Sequence, residues 1–316
     1  MPWSMGKAGI NCFVLITGYY LCTSRVSLKK FLQLLGEVVF YNIAIYVFLV
    51  VFKQHSFSID SFAETLFITG NNSYQFPASF LMFFFLIPFI NILLNNISFI
   101  MHSCLICLML FIYSFRATFP FFFVQFNYVT WFVIIYVVGA YFCLWRDKLP
   151  NFLFDWKSMA VISIVMAIIG ILSVLFGIEM SKITNDEYAW YFLVDSNKIL
   201  SVLTAVSFFL FFKAIPIPHC RIINILGGST FGVLLIHNNC MEMTVFIWEK
   251  IHPEKYLFTG KYVLYSIAII LTVYLACSLI DIVFKNLIEK PIFNTFGKTI
   301  DSWEEKIINK YKNPIN

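Results

Sequence analysis

Apolar residues in this chain come in runs of about twenty, and polar residues gather between the runs. A helix needs roughly 20 mostly apolar residues to cross the hydrocarbon of a bilayer. By that length the pattern predicts nine spanning helices, at about 8–22, 34–52, 79–95, 98–115, 121–145, 158–177, 198–213, 227–248 and 261–284. The first is short, and a very tight turn separates 79–95 from 98–115. The expected fold is all-α: a polytopic transmembrane helix bundle of about nine spanning helices. The expected domains are a transmembrane domain over 1–284 and a basic cytoplasmic tail over 285–316. Trp303-Glu304-Glu305-Lys306 lies in a stretch of that tail suited to an amphipathic surface helix.

Composition agrees with the pattern. Of 316 residues, 60% are hydrophobic and 12% charged, and that charged share is about half the usual soluble value. The net charge of +5 fits anchoring of cytoplasmic loops better than nucleic-acid binding, because no dense Lys/Arg patch lies outside the tail. With the Arg25–Lys30 loop on the cytoplasmic side, 14 of the 22 Lys and Arg fall inside and 8 outside. That bias puts the C-terminus in the cytoplasm and, with nine helices, the N-terminus outside the cell membrane. No cleavable signal is visible, and a tenth helix upstream would restore an internal N-terminus.

Within the 227–248 run sits His237, followed by Asn238, Asn239 and Glu242. Ionisable groups in hydrocarbon are costly, so they mark either function or a hydrogen bond between helices. Both readings stand on position alone. Cys104-x-x-Cys107 has the spacing of a redox or metal pair but has no second pair, and it lies in a predicted span where cysteine packs as a small hydrophobe. Asn71-Asn72-Ser73 fits the glycosylation pattern, which matters only in a eukaryotic secretory setting. The outer loops at 53–78 and 178–197 mix carboxylates with Tyr and Trp, which suits either sugar stacking or an interfacial aromatic belt. No P-loop, GxGxxG, GxSxG or zinc motif occurs, and no metal site or bound cofactor is expected. No internal repeat or matched pair of broken helices suggests a transporter.

Five strings in order resemble the acyltransferase-3 family, membrane enzymes that O-acylate surface glycans. Gly9-Ile10-Asn11-Cys12-Phe13 through Gly18-Tyr19 is similar to the family's second helix. Ser27-Leu28-Lys29-Lys30-Phe31 stands where the family has a basic cytoplasmic segment. Pro88-Phe89-Ile90-Asn91 resembles its P-x-x-N helix end, and Trp131-Phe132 through Gly139-Ala140-Tyr141 resembles its WF…GAY helix. Thr230-Phe231-Gly232-Val233-Leu234-Leu235-Ile236-His237-Asn238-Asn239 is similar to TFGVYLIHDN, with Leu for Tyr and Asn for Asp.

The resemblance implies acyl transfer, acetyl being the expected group, from a CoA thioester to a hydroxyl of a surface polysaccharide or its lipid-linked precursor. The acyl-CoA is a donor substrate. The remaining partners implied are the bilayer and the glycan, with oligomeric state left open. His237 is the expected base and Glu242 its partner. Asn238, Asn239, Asn11 and Asn91 are the candidate acceptor contacts, and Lys29, Lys30, Arg146 and Arg221 the candidate donor-phosphate contacts. The family's first helix, with an Arg or Lys and a His eleven residues on, has no counterpart here, so a start-truncated, inactive relative that binds or moves a lipid-linked glycan is the alternative. Lysines in place of the family's more arginine-rich segment also lack its bidentate grip on phosphate.

Overall fold

The computed structural model describes residues 6–54, 56–66, 75–119, 121–122, 124–238, 240–252 and 259–311. In chain order its α-helices are α1 (Gly6–Leu21), α2 (Leu28–Val51), α3 (Ile59–Leu66), α4 (Gln75–Asn95), α5 (Phe99–Leu110), α6 (Arg116–Thr118), α7 (Tyr128–Leu144), α8 (Trp156–Thr184), α9 (Ile199–Ala214), α10 (Arg221–Gly228), α11 (Thr230–His237), α12 (Met241–Ile251), α13 (Tyr262–Phe284) and α14 (Lys290–Tyr311). A π-turn over Phe111–Phe115 joins α5 to α6, and another over Lys285–Glu289 joins α13 to α14. Among the described residues there is no strand. Leu28–Val51, Phe76–Asn95, Phe99–Thr118, Trp156–Thr184 and Tyr262–Lys306 are long and apolar enough to cross a membrane, while α7 and α9 are shorter apolar helices. The protein is an all-α, multi-pass membrane helix bundle.

Three boundaries differ from the hydropathy reading. The 121–145 run becomes helical only at Tyr128, because Asn127 caps it by accepting from the Thr130 N–H at 3.2 Å. The 261–284 run continues through its π-turn to Tyr311, so the boundary drawn at 284 falls inside an unbroken helical run. The 227–248 run, expected as one span, is cut at Ser229 and again between the end of α11 at His237 and the start of α12 at Met241. Asn238 leaves the helical region at φ −132° and Cys240 is extended at φ −138°, ψ 167°.

The chain forms two compact units, and the boundaries between them include one within α4. In the first, residues 1–25 and 82–218, α7 is enclosed: Trp131, Phe132, Ile134, Ile135 and Tyr136 are buried at nearly successive positions. A helix apolar on every side has this fate. Gly18 of α1 and Gly139 of α7 let the two backbones touch, since a Cβ at either would collide with the carbonyl of Tyr136 or Leu15. Lipid gives helices no hydrophobic reason to associate, so close packing and polar contacts hold them. The polar contacts are local: the Asn11 amide donates to Ser196 O at 2.8 Å and accepts from Trp131 Nε1 at 2.9 Å. Asn91 donates to Leu21 O at 2.9 Å and accepts from the Tyr136 hydroxyl at 2.7 Å.

In the second unit, residues 26–81 and 219–316, α2 runs antiparallel to α13 and α14. Pairing advances along one helix as it retreats along the other: Tyr41 with Asp281, Glu37 with Lys285, Gln33 with Glu289, Lys29 with Asp301. Ile45 and Leu49 of α2 close on Cys240, with Phe48 and Met243 packed beside them. Short α11 lies on α2 and α13, burying Phe231, Gly232, Val233, Leu235 and Ile236.

Candidate functional site

Helix α11 ends at His237, and the chain then leaves helical geometry before α12 begins. A break inside an apolar run frees carbonyls on one side and N–H groups on the other. Such groups are tolerated at membrane depth where protein or a water-filled cavity receives them. His237 is half-buried at this break. Its Nδ1 lies 2.6 Å from Val233 O, one turn back on the same helix. A carbonyl only accepts, so Nδ1 is the protonated nitrogen, and in the neutral tautomer that this selects, Nε2 keeps its lone pair. Val233 is the only hydrogen-bond partner of His237 among the described residues.

Around the break, the Thr244 hydroxyl stands 3.0 Å from Cys240 O and 3.3 Å from Asn238 Oδ1, bridging the gap from the α12 side. Asn238 is otherwise exposed. Glu242 is exposed in the first turn of α12, beside Cys240, where a carboxylate complements the helix dipole. It makes no hydrogen bond to His237 among the described residues. Asn239 lies outside the described residues.

At the other end of α11 stands a cluster that the sequence reading passed over. Lys285 Nζ is 2.8 Å from Asp281 Oδ2 and 3.3 Å from Glu37 Oε1, and it donates to Gly228 O at 2.9 Å. The Tyr41 hydroxyl donates to Asp281 Oδ1 at 3.0 Å. Asp281 is fully buried and Glu37 nearly so. The Asp281 carboxylate lies against Gly232, where any Cβ would collide with it. That explains the glycine of the Thr230-Phe231-Gly232 string: only a bare backbone lets a carboxylate of α13 come so close. The cluster grips the last residue of α10 and the first turn of α11, and His237 leaves from the opposite end. The signal was in the sequence: Glu37 and Asp281 are acids inside predicted spans, with Lys285 directly after one.

The remaining candidates are spread over both units. Asn11 and Asn91 belong to the first unit, and both ends of each amide are engaged in the helix contacts already described. Arg146 is exposed there with its guanidinium 4.3 Å from the centre of the Phe154 ring. In the second unit, Lys29 is half-buried, 3.9 Å from Asp301, and Lys30 is exposed in the same turn of α2. Arg221 is exposed as the first residue of α10. Cys104 and Cys107 are free thiols on the exposed side of α5. Among the described residues, no three His, Cys, Asp or Glu side chains gather as a metal site.

Residues 1–281 match the family described as acyltransferase domain, acyltransferase-3. No curated protein and no solved structure matches the sequence. The matched span includes the glycine-paired α1 and α7, the broken α11–α12 segment with His237, and the buried acid Asp281, and on it the chain belongs to the acyltransferase-3 family, by kind a multi-pass membrane acyltransferase.

Proposed function

We propose that this protein moves an acyl group, acetyl in the simplest case, from a CoA thioester to a hydroxyl of a cell-surface polysaccharide or its lipid-linked precursor. The observation that carries the reading is the hydrogen bond from His237 Nδ1 to Val233 O, which leaves Nε2 as the proton acceptor at a helix break. In this reaction the acceptor hydroxyl attacks the thioester carbonyl while Nε2 takes its proton. The tetrahedral oxyanion needs hydrogen-bond donors, and the N–H groups opening α12, just past the break, are of the right kind. Collapse breaks the C–S bond, and the imidazolium returns its proton to the departing thiolate.

In this reading Asn238 and Asn239 hold the acceptor beside the base. Glu242 acts on His237 through the shared break, by charge. Asn11 and Asn91 serve the acceptor through the helices they fasten. Lys29, Lys30 and Arg221 of the second unit meet the phosphates of the donor, with Lys30 and Arg221 exposed for it, and Arg146, exposed on the first unit, is a further candidate for a donor phosphate. The protein sits in the cytoplasmic membrane with its C-terminal helix on the cytoplasmic side, where the donor is.

The test compares O-acetylation of surface glycan in cells carrying wild type, His237→Ala or no gene. Acetylation with wild type alone supports the reading. Equal acetylation in all three rejects it. Retained binding of a lipid-linked glycan without any acyl transfer would turn the assignment toward a glycan-binding relative.

A further inference from the structure

The first unit has a cavity of about 310 Å³, within the size range of small-ligand sites. Tyr191, Asp195, Asn197 and Lys198 line it, together with Phe122 and Phe126. Its floor is pinned to the π-turn after α5 and to α6 just beyond it. Asn197 Nδ2 donates to Tyr113 O at 3.2 Å, Lys198 Nζ to Ala117 O at 2.6 Å, and the Ile199 N–H to the Thr118 hydroxyl at 3.0 Å. A π-turn displaces carbonyls from α-helical bonding, and such turns occur often at functional sites.

Lys198 is the informative residue. Its side chain is nearly all buried, 6% exposed, yet no carboxylate stands within ion-pair distance of Nζ among the described residues. The ammonium rests 3.8 Å above the Tyr191 ring centre and uses one of its three N–H donors on Ala117 O. Asp195 favours the charged form from beyond ion-pair distance, but burial opposes it more and holds the Lys198 ammonium below its ordinary pKa. A buried ammonium with no carboxylate directly on it costs several kcal/mol, and a ring face and one carbonyl offset only part of that. Asp195 is exposed at the cavity rim and accepts hydroxyl hydrogens. Asn197 has its amide N–H engaged, so its Oδ1 is available to accept. Burial, with Tyr188 and Asp195 adding to it, raises the Tyr191 phenol above its usual pKa, so the ring next to the lysine stays neutral.

We propose that this cavity binds an anionic saccharide, its carboxylate or phosphate on Lys198, its hydroxyls on Asp195 and Asn197, and a ring face on Tyr191. The proposal deepens the reading of the acceptor as a glycan and rests on it. It names the charge that the acceptor carries.

The experiment uses the full chain purified in detergent and titrated with a hexose 1-phosphate, with glucuronic acid and with uncharged glucose. Wild type is expected to bind at least one anionic probe about tenfold more tightly than glucose, the worth of one charge-assisted contact. The probe preferred tells whether a phosphate or a sugar carboxylate is the natural anion. Lys198→Met should erase the preference and Lys198→Arg should keep part of it. Because Lys198 also fastens α6, Tyr191→Leu and Asp195→Asn serve as independent variants. Each should weaken binding of the preferred probe severalfold with unchanged thermal unfolding. Equal binding of charged and uncharged probes, no measurable binding of any probe to wild type, or full binding by Tyr191→Leu and Asp195→Asn together would overturn the proposal. None of these readouts needs turnover, so failure of His237 as the base leaves them interpretable.

Discussion

His102 and His237 both interrupt apolar helices, one in each unit, and their environments differ in one decisive respect. His102 is fully buried with both ring nitrogens engaged: Nδ1 accepts from Trp145 Nε1 at 2.9 Å, and Nε2 lies 3.1 Å from Val137 O. An indole N–H only donates and a carbonyl only accepts, so this ring is held neutral with its proton on Nε2. The edge of its contact with Tyr141, 5.1 Å between centroids, completes the packing. His237 has the opposite tautomer and, among the described residues, one bond, with the second nitrogen left over at a helix break. A histidine in an apolar helix is therefore neither a site nor a packing device by its type. The partners of its second nitrogen decide.

The sharpest break of this contrast is chemical. His237→Ala should lower acyl transfer about 10²- to 10⁴-fold, the usual worth of a general base, while thermal unfolding of the purified protein changes little. Full activity in that variant would erase the distinction between the two rings. Next in size is the pin at the start of α11. Lys285→Met leaves Glu37 and Asp281 facing each other without a cation, and removal of one partner of a buried pair costs about 3–5 kcal/mol. Combining it with Asp281→Asn should cost less than the sum of the two single changes, because the second removes a charge the first stranded. Additive losses in thermal unfolding would mean the cluster is not one unit.

The complementary test is on the other ring. His102→Phe keeps an aromatic ring but strands the Trp145 N–H and the Val137 carbonyl, at about 1–3 kcal/mol. Stability should fall by that order in thermal unfolding, while acyl transfer per folded molecule stays at the wild-type level. A drop in specific activity with unchanged stability would put His102 in the chemistry and reverse the comparison.

How much of this could be read in advance depends on range along the chain. Apolar runs located the long helices, because crossing a membrane demands length and hydropathy that any window reveals. The string around His237 was legible too, but the break after it was not. Asn238 and Asn239 are only weak helix breakers, and a 22-residue apolar run containing them still scores as a single span. The Lys285 cluster was harder, since it joins residues some 240 positions apart through the antiparallel register of α2 and α13. Hydropathy alone hides Asp281 in an apolar run and counts Lys285 as a tail charge. Lys198 likewise counted as an outer-loop charge toward topology. Only its burial, with no carboxylate within ion-pair distance among the described residues, sets it apart.

The smallest expected effect concerns a polar group whose bonds are all used locally, in the manner of His102 but at the surface. Asp155 caps α8, accepting from the Ser158 N–H at 2.9 Å and from its hydroxyl at 2.7 Å. These bonds favour the charged form, so the carboxyl sits below its ordinary value of 3.8. A carboxylate depressed in the folded state stabilises it at pH above the unfolded value, and loses that contribution as pH falls through the folded one. Asp155→Ala should therefore lower thermal stability slightly at neutral pH. The gap to wild type should close once the pH drops below 3.8 and the wild-type cap takes up its proton. A gap that persisted unchanged well below that pH would show that the side chain, not its charge, holds the cap. Asp155 is exposed and His102 buried, yet both have their hydrogen bonds spent on the fold, and neither variant should change acyl transfer per folded molecule. His237 differs from both in the lone pair it retains.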